Sequence, residues 1–403
     1  MKKVGDTPEL LENFSERDQE CFQPIFNYDV GRRITGFEIY AIRNHATDAK
    51  FSLTWETWKQ TNIILRLKTK DGYEGVSCVT SFDVHEFNEN HLKDLEKAIV
   101  VMISIQSIDP LVVSQRLESM IPDIGDLTKS SIDIALWDIA AKRADCTLAD
   151  FLGAQRNKID AYASLPCYQS IDLYLKNINY YFAQGYKTLK LHVWGSINKD
   201  KRLIKIINEK FKGTSVRFML DFEGVYNFHD ALKLGQLMDK ELFICIEAPI
   251  EDDLFDDYRK LKNALPITII PDGFDLYSID HLETGILKQS WDAGRFDASI
   301  IGGVTEALKL LIVANKANLP IELQCWGHGL VQLVNLHIIL ANKNSKFFEV
   351  PTPIDVYEFA MKDVILINKG FVYAPKQSGL GVNIDWDILL TADYCKQITR
   401  GFS

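Results

Sequence analysis

The stretch VRFMLDFEGVYNFHDALKLGQLMDKELFICIEAP, residues 216–249, contains the unit that decides the fold. A mostly apolar run over 216–220 ends at Asp221, and a second apolar run over 242–246 ends at Glu247. An amphipathic stretch separates the two runs. A unit of about 25 residues that holds one buried strand and one helix is the βα repeat. An acidic residue therefore ends each of two consecutive predicted strands.

The same spacing recurs along the C-terminal half of the chain. Asp221, Glu247, Asp272 and Asp297 follow one another at intervals of about 25 residues, and Glu349 stands two such intervals further on. In a (βα)8 barrel the C-terminal strand ends converge on one mouth, so acids that are distant in sequence should meet in space. Asp221, Glu247 and Asp272, on adjacent strands, would form an oxygen-rich cage suited to a hard divalent cation such as Mg²⁺.

Eight strands are predicted between residues 159 and 378. The first two are AYASLP (161–166) and YKTLKLHV (186–193), with a helix over 171–184 between them. The other six should end near residues 221, 247, 272, 297, 324 and 349. The predicted fold class is therefore α/β, with a modified (βα)8 TIM-type barrel.

The first 158 residues lack this rhythm and are predicted to form an α+β capping domain, with residues 1–33 as an extension. Asp71-Gly72 lies between two β-rich runs and is a hairpin signal. Helical patterns follow over 91–127, and the next helix has Ser130 or Ser131 as a candidate N-cap. Residues 379–403 do not continue the strand–helix alternation of the barrel and are too few to form a domain, so we expect them to complete the cap.

Composition restricts the class of protein. The chain has 403 residues, a net charge of −10, 47% hydrophobic residues and 25% charged residues. A negative charge without a strong basic run argues against nucleic acid or an anionic membrane as the partner. The seven cysteines form no CxxC pair, and the N-terminus has no apolar signal-peptide core. We therefore expect a cytoplasmic protein.

Several motifs together resemble the enolase superfamily, and within it the mandelate racemase-like subgroup that includes sugar-acid dehydratases. The resemblance covers roughly residues 34–400. The motifs are IDIALWDIAAK…FLG before the barrel, GYKTLKLHVWG, MLDF, IEAP, FDASIIGGVTEALKL, and SGLGVNIDWD near the end. It implies an α+β cap on a modified (βα)8 barrel, bound Mg²⁺, and removal of the proton α to a substrate carboxylate.

The resemblance assigns the metal ligands. Asp221 matches the third-strand ligand and Glu247 the fourth-strand ligand. Asp272 stands at the fifth-strand position, where the family usually has Gly-Glu and this chain has Pro271-Asp272. An aspartate is one methylene shorter than a glutamate, so either the strand end approaches the metal more closely or a water bridges the gap.

On the second strand the family's Lys-x-Lys appears as Lys190-Leu191-His192. Residues i and i+2 of a strand point to the same side, here the barrel interior. Lys190 would lie near the substrate carboxylate, and His192 would be the catalytic base. We expect Mg²⁺ and Lys190 to lower the pKa of His192 below its usual value of about 6.5. The alternative for His192 is simple packing inside the barrel.

On the sixth strand, Asp297 matches the aspartate of the subgroup's Asp–His dyad. The partner histidine should end the seventh strand, but Gln324 and Cys325 stand there, and His328 lies several residues further on in QCWGHG. Either His328 folds back over the mouth to meet Asp297, or the dyad is absent. Gln324 and Trp326 are candidate substrate-binding residues.

Two more acids are candidates at the mouth. Glu223, two residues after Asp221, could bind metal, donate a proton to a leaving hydroxyl, or form a salt bridge with Lys190. Glu349 matches the eighth-strand glutamate that helps to stabilise the carboxylate side of the substrate.

Three functions follow from these residues. The first is an Mg²⁺-dependent hydro-lyase that dehydrates a sugar acid through an enediolate. The second is a racemase or epimerase of a 2-hydroxy acid, which needs bases on both faces of the substrate. The third is a non-catalytic sugar-acid binder. In each case the expected partner is a small-molecule carboxylate, with no nucleic acid and no membrane, and we expect a homo-oligomer.

Overall fold

A computed structural model describes residues 33–48, 56–83, 87–105, 107–273 and 278–402. The extension predicted over 1–33 lies almost entirely outside these residues. The strands are β1 (Ile34–Arg43), β2 (Lys59–Thr69), β3 (Glu74–Asp83), β4 (Lys158–Ser164), β5 (Thr188–His192), β6 (Arg217–Asp221), β7 (Phe243–Glu247), β8 (Thr268–Ile270), β9 (Gly294–Phe296), β10 (Ile321–Leu323), β11 (Phe347–Pro351), β12 (Ile367–Asn368), β13 (Phe371–Tyr373) and β14 (Tyr394–Gly401).

The helices fall into a group before the barrel and a group that alternates with its strands. The first group is α1 (Asn90–Ile105), α2 (Pro110–Met120), α3 (Asp126–Arg143) and α4 (Leu148–Phe151). The second group is α5 (Ile171–Ala183), α6 (Ile197–Phe211), α7 (Phe228–Gly235), α8 (Phe255–Ala264), α9 (Ile279–Lys288), α10 (Val304–Lys316) and α11 (Gly329–Ala341), and the short α12 (Trp386–Leu389) follows near the end.

The cap is built on a four-stranded sheet of order β14-β1-β2-β3. Strands β2 and β3 are antiparallel and joined at Asp71-Gly72, where Gly72 has a φ of +87°, so the hairpin prediction is confirmed. Strand β14 pairs antiparallel with β1, placing Ile398 opposite Ile39. The first and last parts of the described chain therefore form one sheet.

Helix α3 packs between this sheet and the barrel. It begins at Asp126 with Gly125 as its N-cap, so the N-cap prediction at Ser130 or Ser131 was wrong. Both serines lie inside the helix and are buried. Ser131 Oγ donates instead to Leu127 O at 2.9 Å, one turn back along the helix.

Buried hydrogen bonds fix α3 to the barrel. Trp137 Nε1 donates to Thr305 Oγ1 at 3.0 Å, and Thr305 N donates to Asp133 Oδ2 at 3.0 Å. Asp138 accepts hydrogen bonds from Val76 N of the cap sheet and from Leu380 N of the C-terminal segment, each at 2.8 Å. One helix thus ties together the sheet, the barrel and the C-terminal segment.

The barrel strands β11-β4-β5-β6-β7-β8 pair in parallel, and β9 pairs in parallel with β10. Register places His192 opposite Asp221, Asp221 opposite Glu247, and Glu247 opposite Ile270. The α/β fold with a (βα)8 barrel and a cap is confirmed. Because neighbouring strands end level with one another, their last side chains meet at one mouth.

Among the described helices, none is by itself both long enough and apolar enough to cross a membrane. The bent pair α1 and α2 passes such a test of length and composition only when its two helices are counted together.

Candidate active site

Lys190 stands at the centre of the barrel mouth and is 1% exposed. Its Nζ atom lies 2.9 Å from Asp221 Oδ2, 3.0 Å from Glu247 Oε1 and 2.9 Å from Glu349 Oε1. Burial disfavours the charged ammonium, but the three carboxylates outweigh burial and raise the pKa of Lys190 well above its usual value. The lysine therefore has the anionic partners that its burial requires.

Arg295 is a second buried cation at the mouth, and it was not among the residues predicted from the sequence. Its Nε lies 2.9 Å from Glu247 Oε1, and its Nη2 lies 2.8 Å from Glu349 Oε2. The residue sits on β9 two positions before Asp297, a spacing that points both side chains to the same side. That spacing is the sequence signal from which Arg295 could have been predicted to lie in the site.

Glu349 accepts from several donors at once. Besides its contacts with Lys190 and Arg295, Glu349 accepts hydrogen bonds from Trp326 Nε1 at 3.0 Å and from Cys325 N at 3.2 Å. Burial alone would raise the pKa of Glu349, but Lys190 and Arg295 lower it well below its usual value. Trp326 Nε1 also donates to Ser164 Oγ at 3.2 Å, so Trp326 lies in the cluster around Glu349.

His192 is 1% exposed and is oriented from both sides. Its Nδ1 lies 2.6 Å from Leu165 O, and a carbonyl oxygen can only accept, so Nδ1 carries a proton. Its Nε2 lies 3.1 Å from Glu223 Oε1 and 3.6 Å from Asp221 Oδ2. Burial opposes the charged ring, but the hydrogen bond to Glu223 and the charges of both acids raise the pKa of His192. The sequence-based expectation that Mg²⁺ and Lys190 lower the pKa of His192 concerns the metal-bound protein; of the groups in the structure, Lys190 acts in that direction, but the two acids outweigh it.

Glu223 is placed by an unusual backbone conformation. Its φ is +51°, in the left-handed region, and its N–H donates to Asp221 Oδ1 at 3.0 Å. Burial and the charge of Asp221 raise the pKa of the Glu223 carboxyl. Glu223 Oε1 lies 3.1 Å from His192 Nε2, a contact that becomes an ion pair only when the ring is protonated, whereas the sequence suggested Lys190 as the salt-bridge partner of Glu223.

Asp272 follows β8 and lies among other acids. Its Oδ1 accepts from Gln324 Nε2 at 3.3 Å, and its N–H donates to Asp252 Oδ1 at 2.9 Å. Burial, and then the charges of Asp252, Glu223, Asp221 and Glu247, raise the pKa of Asp272 well above its usual value. Buried carboxylates repel one another and so raise one another's pKa values, and a bound cation reduces this repulsion. Asp221, Glu247 and Asp272 offer only carboxylate oxygens, the type of donor that Mg²⁺ prefers.

The structure does not bring Asp297 and His328 together. Asp297 Oδ1 accepts from Ser299 N at 2.7 Å and from Asn335 Nδ2 at 2.8 Å. His328 is the N-cap of α11, where its Nδ1 accepts from Leu330 N at 3.2 Å and its Nε2 lies 2.8 Å from Phe359 O. Burial lowers the pKa of His328 to about 4. Because backbone groups occupy both of its ring nitrogens, the fold-back alternative is wrong.

Two family models match most of the chain. Residues 38–153 match the model of the mandelate racemase / muconate lactonizing enzyme N-terminal domain. Residues 174–388 match the model described as enolase C-terminal domain-like.

Similar proteins carry several activities. An o-succinylbenzoate synthase of Bacillus subtilis is 29% identical over 65% of this chain and 70% of its own length. An arabinonate dehydratase of Saccharolobus solfataricus is 28% identical over 63% of this chain and 69% of its own length. The names of these relatives therefore leave the reaction open.

Solved structures share the whole fold. A crystal structure from Pseudovibrio sp., assigned to the mandelate racemase/muconate lactonizing enzymes, is 31% identical with a TM-score of 0.86, covering 91% of this chain and 99% of that one. The L-talarate/galactarate dehydratase of Salmonella typhimurium, liganded with Mg and L-lyxarohydroxamate, is 23% identical with a TM-score of 0.80. The match covers 92% of this chain and 95% of the dehydratase chain. The two family models and the 31% identity show that this chain belongs to the mandelate racemase/muconate lactonizing enzyme family of the enolase superfamily.

Proposed function

We propose that this protein is an Mg²⁺-dependent hydro-lyase that removes the proton α to the carboxylate of a sugar acid and then expels a β-hydroxyl as water. Asp221, Glu247 and Asp272 would hold the cation. When bound, Mg²⁺ would supply positive charge that stabilises the developing enediolate.

The observation that carries this proposal is the 3.1 Å contact between His192 Nε2 and Glu223 Oε1. Since Nδ1 is committed to Leu165 O, Nε2 is the atom that takes the α-proton, and the C–H electron pair moves into the enediolate. Glu223, whose pKa is raised by burial and by the charge of Asp221, would hold the one proton of the His192–Glu223 pair and donate it to the departing β-hydroxyl. The proton on His192 can then pass to Glu223 across their contact, which restores both groups.

Buried positive charge supports the same step. Lys190 and Arg295 are fixed at the mouth by the carboxylates of β6, β7 and β11. Preorganised charge of this kind, in a site that excludes water, stabilises a developing enediolate and is usually the largest single contribution to catalysis.

The racemase alternative needs a second base on the opposite face of the substrate. The group expected there was His328, and its ring instead serves as a helix N-cap. Gln324 can donate and accept hydrogen bonds but cannot take a proton at neutral pH. A one-sided acid–base pair therefore favours elimination over racemisation.

The test compares two variants with a panel of five- and six-carbon sugar acids and Mg²⁺, measuring formation of the 2-keto-3-deoxy acid. His192→Asn should lose both dehydration and exchange of the α-proton with D2O. Glu223→Gln should lose dehydration by about 10²-fold or more and keep the exchange, because its base is intact. Dehydration by Glu223→Gln at the wild-type rate would remove Glu223 as the acid. No turnover of any acid by a metal-loaded, folded protein would favour the non-catalytic binder.

A further inference from the structure

His192, Asp221 and Glu223 form a cluster with a different chemistry from the all-oxygen cage. One ligand atom from each, an imidazole nitrogen and two carboxylate oxygens, lies within 4.8 Å of the other two. His192 Nε2 lies 3.1 Å from Glu223 Oε1 and 3.6 Å from Asp221 Oδ2. Bonds of about 2.0–2.2 Å at tetrahedral angles place neighbouring ligand atoms about 3.3–3.6 Å apart. The two separations from His192 Nε2 are therefore close to those of a tetrahedral metal site.

The orientation of His192 is an independent indication. A metal-ligating histidine almost always donates its other ring N–H to a carbonyl or carboxylate, which fixes the tautomer and aims the free lone pair at the ion. Here Nδ1 donates to Leu165 O at 2.6 Å, and Nε2 faces the two acids. The ring is 1% exposed, so it cannot turn away into solvent.

The class of ion follows from the donor atoms. Mg²⁺ prefers oxygen ligands in octahedral geometry, whereas imidazole with carboxylates suits Zn²⁺ and similar transition ions. We propose that His192, Asp221 and Glu223 form a second metal site, selective for Zn²⁺ or a related transition dication, at the mouth of the barrel.

Occupancy of this site has a consequence that rests on the proposed function. An ion on Nε2 takes the lone pair that would remove the α-proton, so the zinc-bound protein is inactive. Asp221 also belongs to the oxygen cage, and its Oδ2 atom lies 2.9 Å from Lys190 Nζ and 3.6 Å from His192 Nε2. Since Asp221 belongs to both sites, Zn²⁺ and Mg²⁺ should compete.

The first experiment measures binding alone, on the full-length, metal-stripped protein. Zn²⁺ should bind at one equivalent by calorimetry, and added Mg²⁺ should raise its apparent Kd. His192→Asn and, separately, Glu223→Gln should each weaken Zn²⁺ binding by about 10- to 100-fold or more. Glu247→Gln should stay within about threefold of wild type, because Glu247 belongs to the oxygen cage only. Circular dichroism identifies any variant that fails to fold, and His192→Gln is then the replacement.

The second experiment identifies the nitrogen ligand. Co²⁺ bound in place of Zn²⁺ should produce one exchangeable, paramagnetically shifted proton resonance, from His192 Nδ1–H, that is absent in His192→Asn. Loss of Zn²⁺ binding in Glu247→Gln with none in His192→Asn would place the ion in the cage and overturn the proposal. Failure to bind Zn²⁺ at all would also overturn it. Because neither readout uses a substrate, a failed sugar-acid panel would count against the proposed function and leave this site standing.

Discussion

Lys190 Nζ lies 2.9 Å from Asp221 Oδ2. A lysine predicted to contact the substrate carboxylate therefore forms a salt bridge with a predicted metal ligand. The same ammonium also contacts Glu247 and Glu349. In the protein without a cation, Lys190 therefore balances part of the charge that Mg²⁺ would balance. Metal binding and the position of this lysine should be coupled.

Replacing Lys190 with Met tests this coupling. Without Mg²⁺ the variant should unfold at a lower temperature, because losing one partner of a buried ion pair costs about 3–5 kcal/mol. With Mg²⁺ the gain in Tm should exceed that of wild type, since no ammonium competes for the carboxylates. Lys346→Met, at an exposed lysine just before β11, is the matched control. Equal Mg²⁺-induced shifts in wild type and Lys190→Met would contradict the coupling.

Glu247→Gln should abolish the rise in Tm that Mg²⁺ produces, because an amide is a far weaker ligand than a carboxylate for a hard cation. Differential scanning fluorimetry over a range of Mg²⁺ concentrations measures this rise in Tm. Glu322→Gln makes the same change of charge in β10, away from the mouth, where the carboxylate accepts from Lys346 N and Phe347 N. An unchanged Mg²⁺ response in Glu247→Gln would mean that the cage lies elsewhere.

His192→Asn should lower kcat/KM by about 10²–10⁴-fold, the usual contribution of a general base, while keeping Mg²⁺-dependent stabilisation. In D2O the wild-type protein should introduce deuterium in a single configuration, or dehydrate the substrate without racemising it. His328→Asn should leave that stereochemistry unchanged. If wild type instead labels both faces equally and His328→Asn removes one of them, the Asp297–His328 dyad forms during turnover.

The positions of the strand ends could be predicted because they depend on local pattern. Asp221 and Glu247 end β6 and β7 as predicted, whereas β8 and β9 end at Ile270 and Phe296, just before Asp272 and Asp297. The start of α3 could not be predicted, because Gly125 caps it without any side-chain hydrogen bond. The two serines therefore gave a stronger N-cap signal in the sequence than Gly125, which is the actual N-cap.

The arrangement inside the mouth depends on contacts between distant residues. Arg295 looked like an ordinary strand residue, since its partners Glu247 and Glu349 lie about 50 residues away on either side. The raised pKa of His192 depends on Glu223, whose left-handed backbone turns its carboxylate towards the ring. A linear pattern carries no signal for either contact.

His337 gives the fold a dependence on pH. It is buried in α11, where Nδ1 accepts from Ala149 N at 3.0 Å and Nε2 lies 3.1 Å from Leu380 O. Burial lowers its pKa from 6.5 to about 4. A histidine with a depressed folded-state pKa stabilises the fold above its unfolded pKa, and that stability is lost as pH falls from about 6.5 through about 4.

His337→Gln removes this titration. Between pH 7 and pH 4 the free energy of unfolding of wild type should fall by roughly 3 kcal/mol more than that of the variant, because folding lowers the pKa of His337 from 6.5 to about 4. Urea unfolding at a series of pH values measures the difference. Parallel profiles for the two proteins would exclude His337 as the cause.

Gly303→Ala should loosen the junction between cap and barrel. Gly303 has a φ of +98°, and a Cβ there would lie 2.3 Å from Asp133 Oδ2, the atom that accepts from Thr305 N. Gly72→Ala, at a φ of +87° with open space around it, is the matched control for backbone strain alone. We expect Gly303→Ala to cost about 1–3 kcal/mol more than the control in chemical denaturation. Equal costs would show that the junction yields to the extra methyl group.

Strand β14, at the end of the described chain, occupies the edge of the cap sheet beside β1. During synthesis on a ribosome, β1 emerges hundreds of residues before β14, so the edge of β1 that pairs with β14 keeps its backbone N–H and C=O groups unpaired until β14 has been made. An unpaired strand edge is a template for association with another chain. The nascent protein is therefore most vulnerable to aggregation while its barrel is being made, and chaperone dependence should be greatest for chains truncated before residue 394.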